Sequence, residues 1–351
     1  MKRKARLTLL LLGIVFVILC RYMPNLAEGY ARMVYPPLSA ALSAFSSIFP
    51  FPLMEVFVIG LILALIIYPI RLRKKGIRLR KKGIRLRKIL FREGEILAWV
   101  YIWFYLGWGL NYYRYNIYTR LQTPPVAYEE QHFKDFLKDY TERLNATYQP
   151  PTKMNEKELK QHVHAFYAQL PSTYGLAKPH AWQKPKDFIF TPIYSKVGVL
   201  GSMGPFFAEA QLNADLPEVQ YPFTYAHEFS HLLGVSNEAE ANYWAYRACT
   251  ESASPTLQYC GYFGLFPYVI SNASSLLPKD EFQAWIRTIK PEIIEQYNEK
   301  NTYWRKLYSP WLGEIQDFTY NLFLKGNKIA SGKKNYAEVI GLLLSLPKEE
   351  K

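Results

Sequence analysis

The residues with the clearest chemical potential form the run His227-Glu228-Phe229-Ser230-His231. On a helix, residues four positions apart lie on the same face, so both imidazole rings can bind one metal ion. Neutral imidazole nitrogens are ligands that suit Zn²⁺. Glu228 directly follows the first histidine and is the predicted general base for the attacking water. The spacing therefore predicts a zinc site in which His227 and His231 are ligands and Glu228 is the catalytic residue.

A catalytic zinc site needs a third protein ligand and one open coordination position. No histidine follows His231 in the chain. The nearby carboxylates are Glu238 and Glu240, in the run Glu238-Ala-Glu-Ala-Asn242. The residue types alone leave the choice between these two glutamates open.

Together, the two motifs resemble the zincin peptidases whose third zinc ligand is a glutamate. Many membrane-bound members of that group carry Glu-x-x-Ala-Asp on a second helix, and its first glutamate binds zinc. The run from Glu238 to Asn242 matches this motif, with Asn in place of Asp. The resemblance implies that Glu238 binds zinc, with Glu240 as the rival, and that Asn242 accepts a hydrogen bond from a ligand imidazole. Only six residues separate His231 from Glu238, so the match requires a tight turn.

Other reactive side chains leave open alternatives. A donor that would stabilise the transition state cannot be chosen from the sequence; the candidates are Tyr243, Tyr246, Arg247, Tyr320 and Tyr336. The upstream histidines His132, His162, His164 and His180 are predicted to be surface or core residues. Cys249 and Cys260 are expected to be small buried thiols, with a disulfide between them as the alternative.

The elements that must hold this site are predicted to be mostly helical, in an α+β fold. Helical apolar spacing covers residues 128–148 and 156–170, and helices follow one another from 222 to 346. Strand-like patterns at 187–191 and 206–214 predict a small sheet before the helical body, and the Gly-rich segment 197–204 is either a further strand or a turn. We expect 208–213 to be an edge strand that pairs with extended substrate; the alternative is that it is simply an edge strand, on which Glu209 is a solvated side chain.

All of the net basic charge lies in the N-terminal third. Residues 1–112 carry 18 Lys or Arg and 4 Asp or Glu, whereas the rest of the chain carries 25 of each kind. The larger C-terminal part therefore has no basic excess for phosphate backbones, and no nucleic acid is predicted as a partner. Half of all residues are hydrophobic, which excludes a disordered chain.

Three apolar stretches predict three transmembrane helices, at about 7–23, 51–70 and 96–113. The first is expected to be an uncleaved anchor, with a cleaved signal peptide as the alternative. Glu55 in the second is expected to be protonated or to reach the interface, with a role facing the domain as the alternative.

A basic loop at 71–92 contains the repeated run Arg-Leu-Arg-Lys-Lys-Gly-Ile and is predicted to be cytoplasmic. We favour a linker that reinforces topology over a polybasic arm for anionic lipid. Three spans that start inside would finish outside. Residues 1–113 are thus predicted to form a membrane domain and 114–351 an extracytoplasmic zincin-like domain of a multi-pass inner (cytoplasmic) membrane protein.

The whole chain also resembles an uncharacterised family of bacterial membrane proteins, known as a domain of unknown function. The similarity rests on the N-terminal spans, a Gly-rich segment before Pro205-Phe206, the run Thr-x-Ala-His-Glu and the run Glu-x-Glu-Ala-Asn. It implies a membrane-anchored zincin-like fold and brings no substrate.

The predicted function is that of a membrane-anchored zinc metallopeptidase, which hydrolyses peptide bonds of exported or membrane proteins with a water activated at the zinc. Its predicted partners are a peptide or protein substrate and the lipid bilayer. The alternative is a non-catalytic, zinc-containing scaffold protein in the membrane, in which protein ligands would fill all four coordination positions.

Overall fold

The computed structural model of the chain describes residues 3–74, 82–150 and 152–346. Most of these residues are helical, and one sheet of three short strands precedes the main helical body. The predicted mostly helical α+β fold is confirmed.

Two helices of the N-terminal third are long and apolar enough to cross a membrane. The helices of this region are α1 (Arg3–Tyr22), α2 (Pro24–Gly29), α3 (Tyr35–Ser47), α4 (Leu53–Lys74) and α5 (Lys82–Gly107). Helix α1, and α4 as far as Arg71, meet the length and hydropathy expected of a span. Both expose apolar side chains along much of their surface.

The third predicted span, at 96–113, is wrong, because the described residues contain two such helices rather than three. Helix α5 ends at Gly107, and the rest of the apolar run forms a 3₁₀ helix, Gly109–Tyr113, that is buried in the domain. The preceding half of α5 is charged: Glu95 is buried and pairs with Arg6 at 3.1 Å and with Arg92 at 3.1 Å. The apolar run at 96–113 therefore consists of the second half of α5, whose first half is charged, and a separate segment that is buried in the core.

The predicted basic loop falls between α4 and α5. Its residues 75–81 lie outside the described residues, and the adjoining parts of the predicted loop belong to the two helices. Helix α4 contacts the sheet region at its first residue, Leu53, and α5 ends at Gly107, next to the buried segment Gly109–Tyr113.

The segment between α1 and α4 packs onto the C-terminal domain. It contains α2, a π-helical turn (Tyr30–Val34) and α3. Tyr35 is fully buried and donates a hydrogen bond of 2.8 Å to the carbonyl of Leu232. Arg114 pairs with Glu28 at 2.8 Å. One apolar core therefore continues from the end of α1 into the C-terminal domain.

In the order of the chain, the strands of the sheet lie between the helices that follow Tyr113 and the helical body. The elements between Tyr113 and the helix that carries His227 are α6 (Ile117–Leu121), α7 (Glu130–Thr147), α8 (Glu156–Gln169), β1 (Lys186–Asp187), α9 (Thr191–Lys196), β2 (Gly201–Gly204) and β3 (Glu209–Leu212). The strand order is β1-β3-β2, with β1 parallel and β2 antiparallel to β3.

The prediction that 208–213 is an edge strand is wrong, because β3 is the central strand. The short strand β1 pairs with one side of it and β2 with the other, and neither pairing was visible in the local pattern. The solvated alternative for Glu209 is also wrong, since this carboxylate is buried and lies 2.7 Å from Nζ of Lys186.

Two buried carboxylates join the start of α4 to the sheet region. Glu209 accepts hydrogen bonds of 3.0 Å from the backbone N–H groups of both Leu53 and Met54. In the opposite direction, Glu55 accepts from the N–H groups of Ile189 and Phe190 at 3.0 and 3.1 Å. Glu55 thus faces the domain. The free N–H groups at a helix start are satisfied by a negative charge, which also suits the helix dipole.

The helical body follows β3 and surrounds the motif. Its helices are α10 (Tyr221–Leu232), α11 (Glu238–Thr250), α12 (Pro255–Leu276), α13 (Lys279–Ile286), α14 (Pro291–Leu307), α15 (Pro310–Gly326) and α16 (Val339–Ser345), with a 3₁₀ helix at Gly332–Glu338. Helices α10, α11 and α12 pack against one another and form the centre of the core.

Candidate metal centre

Helix α10 carries His227, Glu228 and His231 on a fully buried segment. Pro222 lies in its first turn, where a missing N–H costs nothing. The two histidines are one turn apart and share a face. The indole N–H of Trp108 donates a hydrogen bond of 2.9 Å to the carbonyl of His231, so the segment that follows α5 helps to hold this helix.

The turn between α10 and α11 is made by Gly234, whose φ of +99° is in the left-handed region. A Cβ at this position would be strained and would lie 3.2 Å from the ring of Tyr35, so glycine is needed here. Helix α11 then begins after Asn237, whose side chain accepts the N–H of Glu240 at 2.9 Å. This cap puts Glu238 in the first turn of α11, opposite the histidines of α10.

Three ligand atoms meet between the two helices. The two Nε2 atoms of His227 and His231 are 3.1 Å apart, and each is 3.2 Å from Oε2 of Glu238. In a tetrahedral site with bonds of about 2.0–2.1 Å, neighbouring ligand atoms are roughly 3.3–3.4 Å apart. The observed triangle has nearly these dimensions before any ion is considered. This buried His-His-Glu group could therefore bind a metal ion.

Hydrogen bonds of the two Nδ1 atoms fix the orientation and the tautomer of both imidazole rings. Nδ1 of His227 donates to Oδ1 of Asn242 at 2.8 Å, and Nδ1 of His231 donates to the carbonyl of Val235 at 2.7 Å. The Asn242 amide nitrogen itself donates to the carbonyl of Tyr336 at 3.2 Å, which directs its oxygen to the histidine. With both Nδ1 atoms protonated, neutral rings direct two Nε2 lone pairs at the centre.

The centre therefore needs a positive charge. Oε2 of Glu238 is buried and accepts no hydrogen bond, so two neutral rings and a carboxylate would otherwise direct three lone pairs at one another. Burial favours neutral His231, but the charge of Glu238 and its contact with the ring outweigh this and raise the pKa of His231 to about 9. Against the effect of burial, the two histidines lower the pKa of Glu238. A divalent cation would supply the positive charge while both imidazoles stay neutral and the carboxylate stays ionised.

Glu228 lies beside this triangle and outside it. Its carboxylate is buried, and its Oε2 has no hydrogen-bond partner. Burial raises its pKa above the ordinary value. Strand β2 approaches it closely, because a Cβ at Gly201 would lie 2.5 Å from Cγ of Glu228 and 2.6 Å from its Oε1. A carboxylate in this position can accept a proton from a molecule held between it and the His-His-Glu group.

Two of the five candidate donors lie at the centre. The hydroxyl of Tyr320 donates a hydrogen bond of 2.6 Å to Oε1 of Glu238 and lies 3.3 Å from the hydroxyl of Tyr336. The ring of Tyr336 stacks on that of His227 at 6.2 Å. Tyr243, Tyr246 and Arg247 belong instead to other contacts of α11; Arg247 pairs with Glu251 at 2.5 Å.

Glu240, the rival third ligand, is not brought to the histidines. Its carboxylate pairs with the buried guanidinium of Arg120 and accepts the indole N–H of Trp244 at 3.1 Å. Successive helical residues are rotated by about 100°, so side chains two positions apart point to nearly opposite sides of α11. Glu238 and Glu240 therefore have different neighbours.

Some residues of the site escaped the sequence analysis. Trp108 and Val235 act through an indole N–H and a backbone carbonyl, and neither group leaves a motif. Gly201 belongs to the Gly-rich segment before Pro205, which was identified only as a strand or turn. The sequence indicated this contact only through the glycine itself, because a larger residue at position 201 would collide with Glu228.

The remaining reactive side chains lie elsewhere. Cys249 and Cys260 are buried free thiols rather than a disulfide. His162 contacts the carbonyl of Ala248 through Nε2 at 3.2 Å. The ring of His164 lies 4.6 Å from that of Phe229, on the core side of α10. In the part of the chain that the structure describes, one group of three or more potential ligands occurs, and it contains none of these residues.

Comparison with known proteins gives a single result. The sequence model of a family described as a protein of unknown function (DUF3810) matches residues 30–344. No curated protein and no solved structure matches the chain.

Proposed function

Because the chain belongs to the DUF3810 family, whose description assigns no activity, we propose a function from the site itself. We propose that the protein is a membrane-anchored zinc metallopeptidase that hydrolyses peptide bonds of exported or membrane proteins. His227, His231 and Glu238 hold the Zn²⁺ ion, and Glu228 is the general base.

The observation that carries this proposal is the asymmetry of the buried group. Three ligand atoms form a triangle of tetrahedral size on one side, and among the described residues no fourth His, Cys, Asp or Glu joins them. Glu228 lies next to the triangle with a free carboxylate oxygen. Three ligands, a vacancy and an adjacent base are the parts that a hydrolytic zinc site needs. Two histidines and a glutamate with one open position are a ligand set of hydrolytic Zn²⁺ sites.

Within this site, each side chain has a separate task. A Zn²⁺ ion held by His227, His231 and Glu238 would supply Lewis acidity, both for polarising the scissile carbonyl and for making water more acidic. Glu228 accepts the proton of the attacking water and passes it to the leaving amine; burial raises its pKa, which suits a group that both takes and returns a proton. Asn242 and Tyr320 orient the ligands His227 and Glu238.

Strand β2 is the element we propose for substrate pairing, in place of 208–213. It forms one edge of the described sheet, and its first residue, Gly201, lies against Glu228. An extended peptide that hydrogen-bonds to such an edge would carry its backbone past the catalytic carboxylate. The turn after β2 contacts the span helix α4, since the ring centroids of Phe206 and Phe57 are 4.7 Å apart. This proximity to α4 supports substrates that are exported or membrane proteins.

We propose the cytoplasmic membrane as the location, with the metal centre on the extracytoplasmic side. Helices α1 and α4 are the two candidate spans. The basic repeat at 71–88 begins in the last turn of α4, whereas the first turn of α4 is bonded to the sheet region, and short loops rich in Lys and Arg remain in the cytoplasm. Helix α5, which packs on α1 and pairs Glu95 with Arg6, then returns the chain from the cytoplasmic loop to the domain, and in a bacterial cell the domain faces the periplasm.

A second candidate, a non-catalytic zinc-containing scaffold protein, is favoured by the burial of the site. His227, Glu228, His231 and Glu238 are all at most 7% exposed, as in a closed structural site. On this reading the zinc stabilises the packing of α10 on α11, and Glu228 has no chemical role.

Glu228→Gln separates the two candidates, because it keeps the shape of the side chain and removes the base. Zinc content is measured by elemental analysis and turnover with a peptide library, with the exposed Glu142→Gln as the matched control. The peptidase proposal expects equal zinc in all three proteins and turnover lost only in Glu228→Gln. Equal turnover by Glu228→Gln and wild type would end the hydrolase proposal, and zinc without turnover in any of the proteins would support the scaffold.

A further inference from the structure

Helix α15 carries an apolar stripe that no described part of the chain covers. Trp311, Ile315, Phe318 and Leu322 are all about half to two-thirds exposed. At about 100° per residue, these four side chains fall within roughly 60° of the helix circumference. Single exposed apolar side chains are common on protein surfaces, but an aligned set on one helix marks an interaction face.

The opposite face of α15 belongs to the metal centre and the core. Tyr320 donates its hydrogen bond to Glu238, and the ring of Phe323 lies 5.9 Å from Phe104 and 5.7 Å from Tyr112. The margin of the exposed face carries the exposed charged residues Glu314 and Lys325. A buried face, an exposed apolar sector and a charged margin are typical of a helix that lies in a lipid–water interface.

Both ends of α15 are tied to the domain-side ends of the two span helices. At its C-terminal end, the guanidinium of Arg21, near the end of α1, donates to the carbonyl of Gly326 at 2.8 Å. At the start, the N–H of Ser309 donates to the carbonyl of Lys196 at 2.8 Å, at the end of α9. The segment that leads into α9 is held by Glu55 in the first turn of α4.

Further exposed apolar side chains occur along this path. Ile189 and Phe190, which bond to Glu55 of α4, and Ile193 in α9 are exposed, and the stripe of α15 lies on the helix whose C-terminal end is bonded to Arg21 of α1. Because the domain-side ends of α1 and α4 mark where a membrane-spanning helix leaves the hydrocarbon, an element attached to both ends lies at that level. Helix α15, about 25 Å long, therefore runs along the membrane surface.

We propose that α15 lies in the outer lipid–water interface, with the stripe of Trp311, Ile315, Phe318 and Leu322 embedded in the bilayer. This inference rests on the membrane anchoring in the proposed function and adds a third membrane contact to it. Trp311 is of the residue type enriched at such interfaces. Since Tyr320 on the same helix holds Glu238, the metal centre lies about one helix diameter, roughly 10 Å, from the lipid. The substrate class is then a polypeptide that emerges from the bilayer beside α15.

The test measures depth in the membrane with the full chain reconstituted into phosphatidylcholine–phosphatidylglycerol vesicles. A nitroxide label is placed at Ile315→Cys or, in a second protein, at Phe318→Cys; the native cysteines are buried and free, and the unsubstituted chain gives the labelling background. Collision rates are measured with oxygen, which concentrates in lipid, and with chromium oxalate, which stays in water. Ile62→Cys in the middle of α4 is the lipid reference, and the exposed Glu142→Cys on α7 is the water reference.

The proposal expects an oxygen-to-chromium collision ratio at both α15 sites close to that of Ile62→Cys and at least about fivefold above that of Glu142→Cys. A ratio at both α15 sites equal to the water reference, with Ile62→Cys still in lipid, would overturn the interfacial helix and leave the anchor intact. Protection of the α15 sites from both reagents would also overturn it, because a second protein surface would then cover the stripe. If Ile62→Cys itself behaves as the water reference, the membrane anchoring fails and the interfacial helix fails with it.

Discussion

The hydroxyl of Tyr320 lies 2.6 Å from Oε1 of Glu238 and donates a hydrogen bond to it, although the two residues are 82 positions apart in the chain. This bond occupies one oxygen of the carboxylate and leaves the other, Oε2, directed at the two histidines. Helix α15 thus takes part in the geometry of a centre whose ligands belong to α10 and α11.

We predict that Tyr320→Phe weakens zinc binding by about 10- to 100-fold, because residues that orient a ligand typically contribute this much to metal affinity. The ring packing is retained, and only the hydroxyl is lost. Competition with a chromophoric chelator measures the affinity. Tyr303→Phe, which removes a hydroxyl bound to the carbonyl of Asp215 on the surface, is the control and should bind zinc like the wild type. Unchanged affinity in Tyr320→Phe would show that the hydroxyl does not position the ligand.

Substitution of each of the two glutamates of α11 by glutamine is predicted to have a different effect. Glu238→Gln replaces a charged ligand and should abolish stoichiometric zinc binding. Glu240→Gln should keep the zinc and lower the free energy of unfolding by about 3 kcal/mol, because the buried Arg120 loses its carboxylate partner. Elemental analysis and urea unfolding measure the two effects. The opposite pattern, with zinc lost in Glu240→Gln and kept in Glu238→Gln, would exchange the two assignments.

Gly201→Ala is predicted to impair catalysis without loss of zinc. The new methyl group would lie 2.5 Å from Cγ of Glu228, so the base must move, and a displacement of about 1 Å lowers the rate roughly 100-fold. Turnover and zinc content are compared with those of Gly94→Ala on α5, where a Cβ meets no atom within 4 Å. Full activity of Gly201→Ala would mean that strand β2 does not constrain Glu228.

His164 is predicted to make the stability depend on acid. Burial and the nearby Lys160 lower its pKa from 6.5 to about 4, so the unfolded chain binds a proton there at a pH where the folded chain does not. The free energy of unfolding should therefore be complete above pH 6.5 and decrease as the pH falls towards 4. After allowance for partial exposure of the ring, the decrease is about 2 kcal/mol. Urea unfolding of His164→Phe should lack this component, whereas the exposed His132→Gln should retain it.

The two histidines that share one helix could be predicted from their spacing in the sequence. The four-residue spacing of His227 and His231 places both rings on one face of α10 whatever surrounds that helix. The apolar length of α1 and α4 and the helical spacing of α7 and α8 are likewise properties of short stretches of chain. Such patterns depend only on backbone geometry, and for that reason they can be interpreted without knowledge of the fold.

The predictions were wrong where one local sequence pattern is compatible with two different places in the tertiary structure. The run at 96–113 is apolar both as a membrane span and as a core segment, and its aromatic residues pack into the domain after α5 ends. The strand at 208–213 alternates equally well at an edge or in the centre, and the two-residue strand β1 decides its place.

The sequence by itself determined that two imidazoles and an adjacent carboxylate share one helix, because helical geometry is local. Only the tertiary structure decided which glutamate faces them: Arg120 pairs with Glu240, and Tyr320 donates its hydrogen bond to Glu238. These contacts join residues 82 to 120 positions apart. A side chain's partner across such a separation depends on how the helices pack, and no short stretch of sequence specifies that packing.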